Sequence, residues 1–208
     1  MSRSPSNPKG TRDFLPSTLS KRNYIIDIIK DNFKLFGFLE IETPALEKNS
    51  TLLGKYGNEG DRLVFKILNS GDKVKKADVN SLKQNNLYAF ADSISEKGLR
   101  YDLTVPLARF VAQHQNELVF PFKRYQIQNV WRADRPQHGR FQEFTQCDAD
   151  VIGPKSIIQE IELIKLYDAV FSQLGFNDII FKINHRSILT ALANYIGAQN
   201  KSNEFISI

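Results

Sequence analysis

The 208 residues, 41% hydrophobic and 25% charged, have the length and composition of one globular domain. No apolar run reaches membrane-spanning length and MSRSPSNPKG lacks the hydrophobic core of a signal peptide, so the cytoplasm is the expected compartment. A net charge of +5 permits a polyanionic partner, the single Cys147 excludes an internal disulfide, and the isolated His114, His138 and His185 exclude a His/Cys metal site.

Residues 1–8 read as a flexible tail of Ser, Asn and Pro. Residues 9–16, KGTRDFLP, mix turn formers with Phe14 and Leu15 and read as an ordered lead-in against the core. With Ser17 as N-cap, the spacing of Ile25, Ile26, Ile29, Phe33 and Phe36 predicts a helix that Gly37 ends. A short strand follows at 38–42, stopped by Pro44. Residues 51–61, with Gly54 and Gly57, read as a loop, and 63–68 and 87–91 as strands. Between those strands, 69–86 is polar and lysine-bearing, a surface insertion whose lysines are a solvated loop rather than a nucleic-acid contact. Residues 99–103 read as a strand, and Thr104 with Pro106 opens a helix to His114. Asp102 has no capping role in this reading and points from a strand end into a cleft.

Residues 122–153 are the stretch around which the chain is organised. They read as a β-ribbon with arms at 125–131 and 144–152, joined by a loop holding Arg132, Arg135 and Arg140 around Pro136 and Gly139. On the second arm Gln146, Asp148 and Asp150 share one face, while Cys147, Ala149 and Val151 share the other, a packing face for a helix behind the sheet. Two readings of the loop stand at this point: a solvated charged tip, or an anion clamp, since forked guanidinium donors match phosphate oxygens. Carboxylates beside such a clamp would repel phosphate unless they hold a cation, so the pairing suggests two substrates, one anionic and one bearing an amine. Beyond the ribbon, 154–174 read as an amphipathic helix closed by Gly175, 179–183 as a strand and 187–196 as a helix. Neither GxxxxGK nor GxGxxG is present, so a bound nucleotide would rely on side-chain arginines on antiparallel strands.

These segments together resemble a class II aminoacyl-tRNA synthetase of the histidyl-tRNA synthetase family. The long helix followed by FGFLEIETPALE resembles motif 1, and the ribbon resembles motif 2, with Arg132, Asp134, Arg140 and Phe144 in its pattern. KGTRDFLP, LRYDLTVPLARF and RADRPQHGRFQEFTQCDADVIG resemble the histidine-specific stretches, in the family's order. The resemblance implies an α+β fold of two layers, an antiparallel sheet flanked by helices, and a homodimer through motif 1. It implies that the parent enzyme activates histidine with ATP and transfers it to tRNA(His). In it Arg132 contacts the α-phosphate and the substrate carboxylate, Arg140 the γ-phosphate end, Phe144 stacks on adenine and Asp134 reads the adenine edge. Asp102, Thr104 and Gln146 hold the α-ammonium of histidine, a fitting set for three donors, and Asp150 takes the imidazole N–H. Mg2+ is implied by the polyphosphate, with no ligand to name. Asp148 reads as solvent-facing, Phe144 has an alternative as ordinary core, and Asp134 with Arg135 as a surface ion pair.

The family's motif 3, its later histidine-specific segment and its anticodon-binding domain have no counterpart before Ile208. The chain is therefore expected to be the front of a catalytic domain, inactive alone and exposing apolar surface. The rival readings are a synthetase-like regulatory subunit of ATP phosphoribosyltransferase and a non-catalytic tRNA-sensing module.

Overall fold

A computed structural model describes residues 4–153 and 155–198. In chain order the elements are α1 (Pro16–Leu35), β1 (Leu39–Glu40), β2 (Leu46–Lys48), α2 (Asn49–Leu52), α3 (Gly57–Asp61), β3 (Lys66–Ile67), a 3-10 turn (Gly71–Lys76), α4 (Val79–Lys83), α5 (Leu87–Ser93), β4 (Lys97–Leu99), α6 (Thr104–His114), β5 (Phe122–Trp131), β6 (Glu143–Ile152), α7 (Ile158–Gln173) and α8 (Arg186–Tyr195). They make an α+β fold with two three-stranded sheets, ordered β1-β5-β6 and β2-β4-β3. The first sheet is mixed rather than wholly antiparallel, because β1 runs parallel to β5.

The ribbon forms as its sequence predicts. β5 and β6 pair antiparallel over their whole length, from Phe122 opposite Ile152 to Trp131 opposite Glu143. Period-two alternation sends Tyr125, Ile127, Ala149 and Val151 to one face, where they pack with Phe33 and Phe38 and with Leu166 and Val170 of α7. Phe33 stacks on Tyr125 with ring centroids 4.7 Å apart, so α1 and α7 are the helices behind the sheet. Asn32, buried in α1, donates to Gln173 of α7 at 2.9 Å, and Lys123 of β5 reaches Glu162 of α7 at 2.5 Å. Cys147, at the α1 end of this face, stays exposed instead of packing.

Several expectations are corrected. Residues 87–91 are not a strand but the start of α5, because the Asn86 side chain accepts from the Ala89 N–H at 3.2 Å and caps a segment containing Leu and two Ala. The loop placed at 51–61 holds the end of α2 and all of α3. The strand placed at 63–68 narrows to β3, and that at 99–103 shifts to β4, where Gly98 pairs across Glu47 and Lys66. Gly98 suits that central place, since a Cβ there would lie 3.0 Å from the Phe65 carbonyl oxygen. Helix α1 begins at Pro16 rather than being capped by Ser17; proline at the first helical position has no N–H to leave unpaired. Residues 179–183 are irregular, with Ile180 84% exposed: they have no neighbouring strand to pair with among the described residues. The predicted helix at 154–174 begins later, at Ile158; Pro154, where it was placed to start, lies outside the described residues, as do 1–3 of the tail. Its end agrees, with Gly175 at φ +83° and the Phe176 N–H bonded to the Phe171 carbonyl at 2.9 Å.

Candidate functional site

The face of the ribbon away from α1 and α7 carries most of its polar side chains. The register sets Arg124 opposite Asp150, Gln126 opposite Asp148, Gln128 opposite Gln146 and Val130 opposite Phe144. This alternation runs through the first arm as well as the second, a signal legible in Arg124-Gln126-Gln128 that the reading of that arm as β-formers passed over.

A buried polar layer fixes this face from below. Gln128 Oε1 accepts from the Thr43 N–H at 3.1 Å, from Arg100 at 3.0 Å and from Gln126 Nε2 at 2.5 Å. Gln126 Nε2 also donates to Thr43 Oγ1 at 2.8 Å, and Arg100 donates to the carbonyls of Asn129 and Thr43 at 2.8 and 2.6 Å. Arg124, wholly buried, donates to Gln126 Oε1 at 3.3 Å and forms an ion pair with Asp150 at 2.5 Å. Its Nε has no partner. Burial lowers the Arg124 pKa, and the charges of Asp150, Asp148 and Asp102 pull it back up.

Asp102 does have a local structural task, contrary to the sequence reading. Its Oδ1 accepts from the Val105 N–H at 3.1 Å, the capping bond of α6, and from the Tyr56 hydroxyl at 2.9 Å. Burial foremost, then Asp102, pushes the Tyr56 pKa far up, so Tyr56 remains a donor. Thr104 is the exposed first residue of α6, and the capping bond belongs to Asp102 instead. Gln146 Oε1 is buried without a hydrogen-bond partner. Asp148 is not solvent-facing: it is partly buried, and its carboxyl is held above the ordinary carboxylate range by burial, with Arg124 lowering it and Asp150 and Asp102 raising it.

At the other end of the ribbon lies a cavity of about 700 Å³ lined by residues that include Arg132, Arg140, Asp134, Phe144, Tyr101 and Arg12. Arg132 donates from Nε to the Tyr101 carbonyl at 3.2 Å, and its guanidinium carbon sits 4.4 Å from the Tyr101 ring and 5.1 Å from the Phe144 ring. Phe144 is thus part of the cavity wall rather than ordinary core. Asp134 pairs with Arg140 at 3.2 Å, not with Arg135, and Arg135 is absent from the cavity lining. The third guanidinium of the cavity is Arg12, from the lead-in before α1; it lies in KGTRDFLP, whose resemblance implies no role for it.

The site therefore divides its charge. At one end Arg124 pairs with Asp150, with Asp148 and Asp102 close enough to act on its charge, and the other end is lined by Arg12, Arg132 and Arg140 with the carboxylate of Asp134; Arg132 acts on Asp148 as well, so the two ends adjoin. An amine fits the first and a polyanion the second, side by side on one rigid ribbon. Among the described residues no cluster of three His, Cys, Asp or Glu could hold a metal ion, and no helix is long and apolar enough to cross a membrane.

Comparison with known proteins adds to this geometry. A family model described as "Histidyl-tRNA synthetase" matches residues 72–208. The chain is 61% identical over 205 residues to a histidine–tRNA ligase of Christiangramia forsetii, covering 99% of this chain and 45% of that protein. It is 56% identical over 223 residues to one of Flavobacterium johnsoniae, covering 99% of this chain and 47% of that protein. Among solved structures, histidyl-tRNA synthetase from Nostoc matches with a TM-score of 0.72 at 29% identity, over 94% of this chain and 38% of that one. A Bacillus halodurans protein described as an ATP phosphoribosyltransferase regulatory subunit/histidyl-tRNA synthetase matches with a TM-score of 0.72 at 26% identity, over 96% of this chain and 46% of that one. The chain thus spans less than half the length of these relatives.

Proposed function

The chain belongs to the histidyl-tRNA synthetase family, and from that membership we propose that it forms the front part of a class II catalytic domain, with motifs 1 and 2, in a histidine–tRNA ligase. The protein condenses histidine with ATP to histidyl-adenylate and then esterifies tRNA(His). The observation that carries this reading is the arginine-lined cavity at one end of the ribbon, with the Arg124–Asp150 pair further along the same face.

In the first step a carboxylate oxygen of histidine attacks the α-phosphorus, and pyrophosphate leaves with the electron pair of the broken P–O bond. Arg132, held between two rings, meets the negative charge that builds on the α-phosphate without having to reorganise. Arg140 binds the far end of the polyphosphate, Asp134 reads the adenine edge, and Phe144 offers adenine the ring face that Arg132 leaves open. The α-ammonium takes Asp102, Thr104 and the unpartnered oxygen of Gln146. Asp150, paired with Arg124, accepts the imidazole N–H and discriminates against isosteric apolar side chains. Mg2+ arriving with the polyphosphate would supply further charge neutralisation; among the described residues no cluster of three His, Cys, Asp or Glu would hold it. The protein acts in the cytoplasm as a homodimer through motif 1, and residues 69–86 are a surface insertion in the domain.

The test is histidine-dependent ATP–pyrophosphate exchange by the complete polypeptide that carries these residues. Exchange that requires histidine and collapses in Arg132→Ala supports the reading. Histidine binding with no exchange would favour the regulatory-subunit alternative, which the name of the Bacillus halodurans neighbour keeps in view.

A further inference from the structure

We propose that Arg12 is a phosphate-binding residue of this site, the third guanidinium on the polyphosphate, delivered by the segment that precedes α1. The proposal rests on the nucleotide reading above and adds a residue to it.

The backbone explains how Arg12 gets there. The Gly10 carbonyl accepts from the Gln142 N–H at 2.8 Å, and Thr11 folds back on the Pro8 carbonyl through its N–H at 3.1 Å and its hydroxyl at 2.8 Å. Gly10 has φ +83°, and a Cβ on it would lie 2.7 Å from Gln142 Cγ and 3.0 Å from Pro136 Cγ. Only glycine permits so close a dock against the base of the arginine loop. Two residues later the Arg12 guanidinium carbon lies 3.4 Å from the centroid of the Phe141 ring and 5.1 Å from that of Phe14. Arg22 lies 4.1 Å from the Phe14 ring and donates to Thr145 at 3.0 Å, so the whole stack is tied to β6.

A guanidinium stacked face-on keeps its N–H donors in its own plane, pointing away from the ring. No ion pair is recorded for Arg12 among the described residues, and the carboxylate in the cavity wall, Asp134, is already paired with Arg140. Arg12 and Arg132 thus both line one cavity without an ion-pair partner among the described residues. Packing alone asks for a flat apolar or amide side chain on Phe141; a permanent charge beside two other arginines asks for an anion.

The experiment compares Arg12→Gln, Arg12→Lys and the unaltered sequence, each in the complete polypeptide. Binding of ATP, AMP, histidine and tRNA is measured by titration calorimetry, with thermal unfolding alongside. Glutamine keeps a planar head for Phe141 and removes the charge, so it separates binding from packing. Arg12→Gln is expected to weaken ATP about tenfold, the loss of one charge-assisted hydrogen bond, with AMP and histidine within about twofold and an unchanged unfolding midpoint. Arg12→Lys falls between. Unchanged ATP affinity overturns the proposal, as does an equal loss for histidine with a lowered midpoint, which marks a packing role. A loss confined to tRNA assigns the phosphate to nucleic acid and overturns it too. If the unaltered polypeptide binds no ATP, the nucleotide reading itself fails and this proposal with it.

Discussion

Asp148 is where a single residue's surroundings change its meaning. Burial raises its carboxyl pKa, so the folded chain holds that proton more tightly than the unfolded chain does. The sign follows: its contribution to stability is full below the unfolded carboxyl value of about 4 and is lost as pH rises through the folded value. Asp148→Asn, uncharged throughout, is therefore expected to unfold at a higher temperature than the unaltered chain at pH 7, the two curves converging near pH 4. Thermal unfolding across pH checks this, and equal midpoints at pH 7 would refute it. The charge that costs stability sits in the pocket assigned to an ammonium, so the same variant should bind histidine more weakly.

Elements here are held to one another by few, specific contacts. Arg109 of α6 grips Glu47 of β2 through three contacts of 2.6 to 2.9 Å, and Glu47 is only 5% exposed. Arg109→Ala leaves that carboxylate buried and alone, with an expected loss of about 3 kcal/mol in denaturant unfolding. Replacing both residues by leucine should recover most of the loss; if it does not, burial of an unpaired charge is not the cause. The lead-in depends on Gly10 in the same way. Gly10→Ala meets Gln142 and Pro136 and strains a positive φ, so residues 9–12 should undock. Faster tryptic cleavage at Lys9 and Arg12, with the rest of the chain resistant, is the expected outcome. Element type was legible wherever the pattern was long: α1, α6, α7 and the ribbon stand close to their predicted places. It was not legible in the short apolar run at α5, where periodicity cannot separate strand from helix and the Asn86 cap decided.

At the scale of the whole molecule, large apolar side chains remain uncovered toward the end of the described chain: Ile157 69%, Ile183 71%, Ile180 84% and Tyr195 90% exposed. The 208-residue polypeptide is expected to self-associate as concentration rises, measurable by sedimentation velocity; a monomer at all concentrations would refute this. The amino-acid sequence alone determined the ribbon, because period-two alternation is a local property that fixes which side chains share a face. It thereby put Arg132, Arg135 and Arg140 in one loop and Gln146, Asp148 and Asp150 on one face, and the resemblance to motif 2 added Phe144. Only the tertiary structure decided what came to that ribbon from elsewhere. Arg12 arrives from the lead-in, Tyr56 from the turn before α3, and Arg124 becomes buried by what packs over it. Burial and long-range contact depend on the other elements that cover a residue, and no window of sequence contains them.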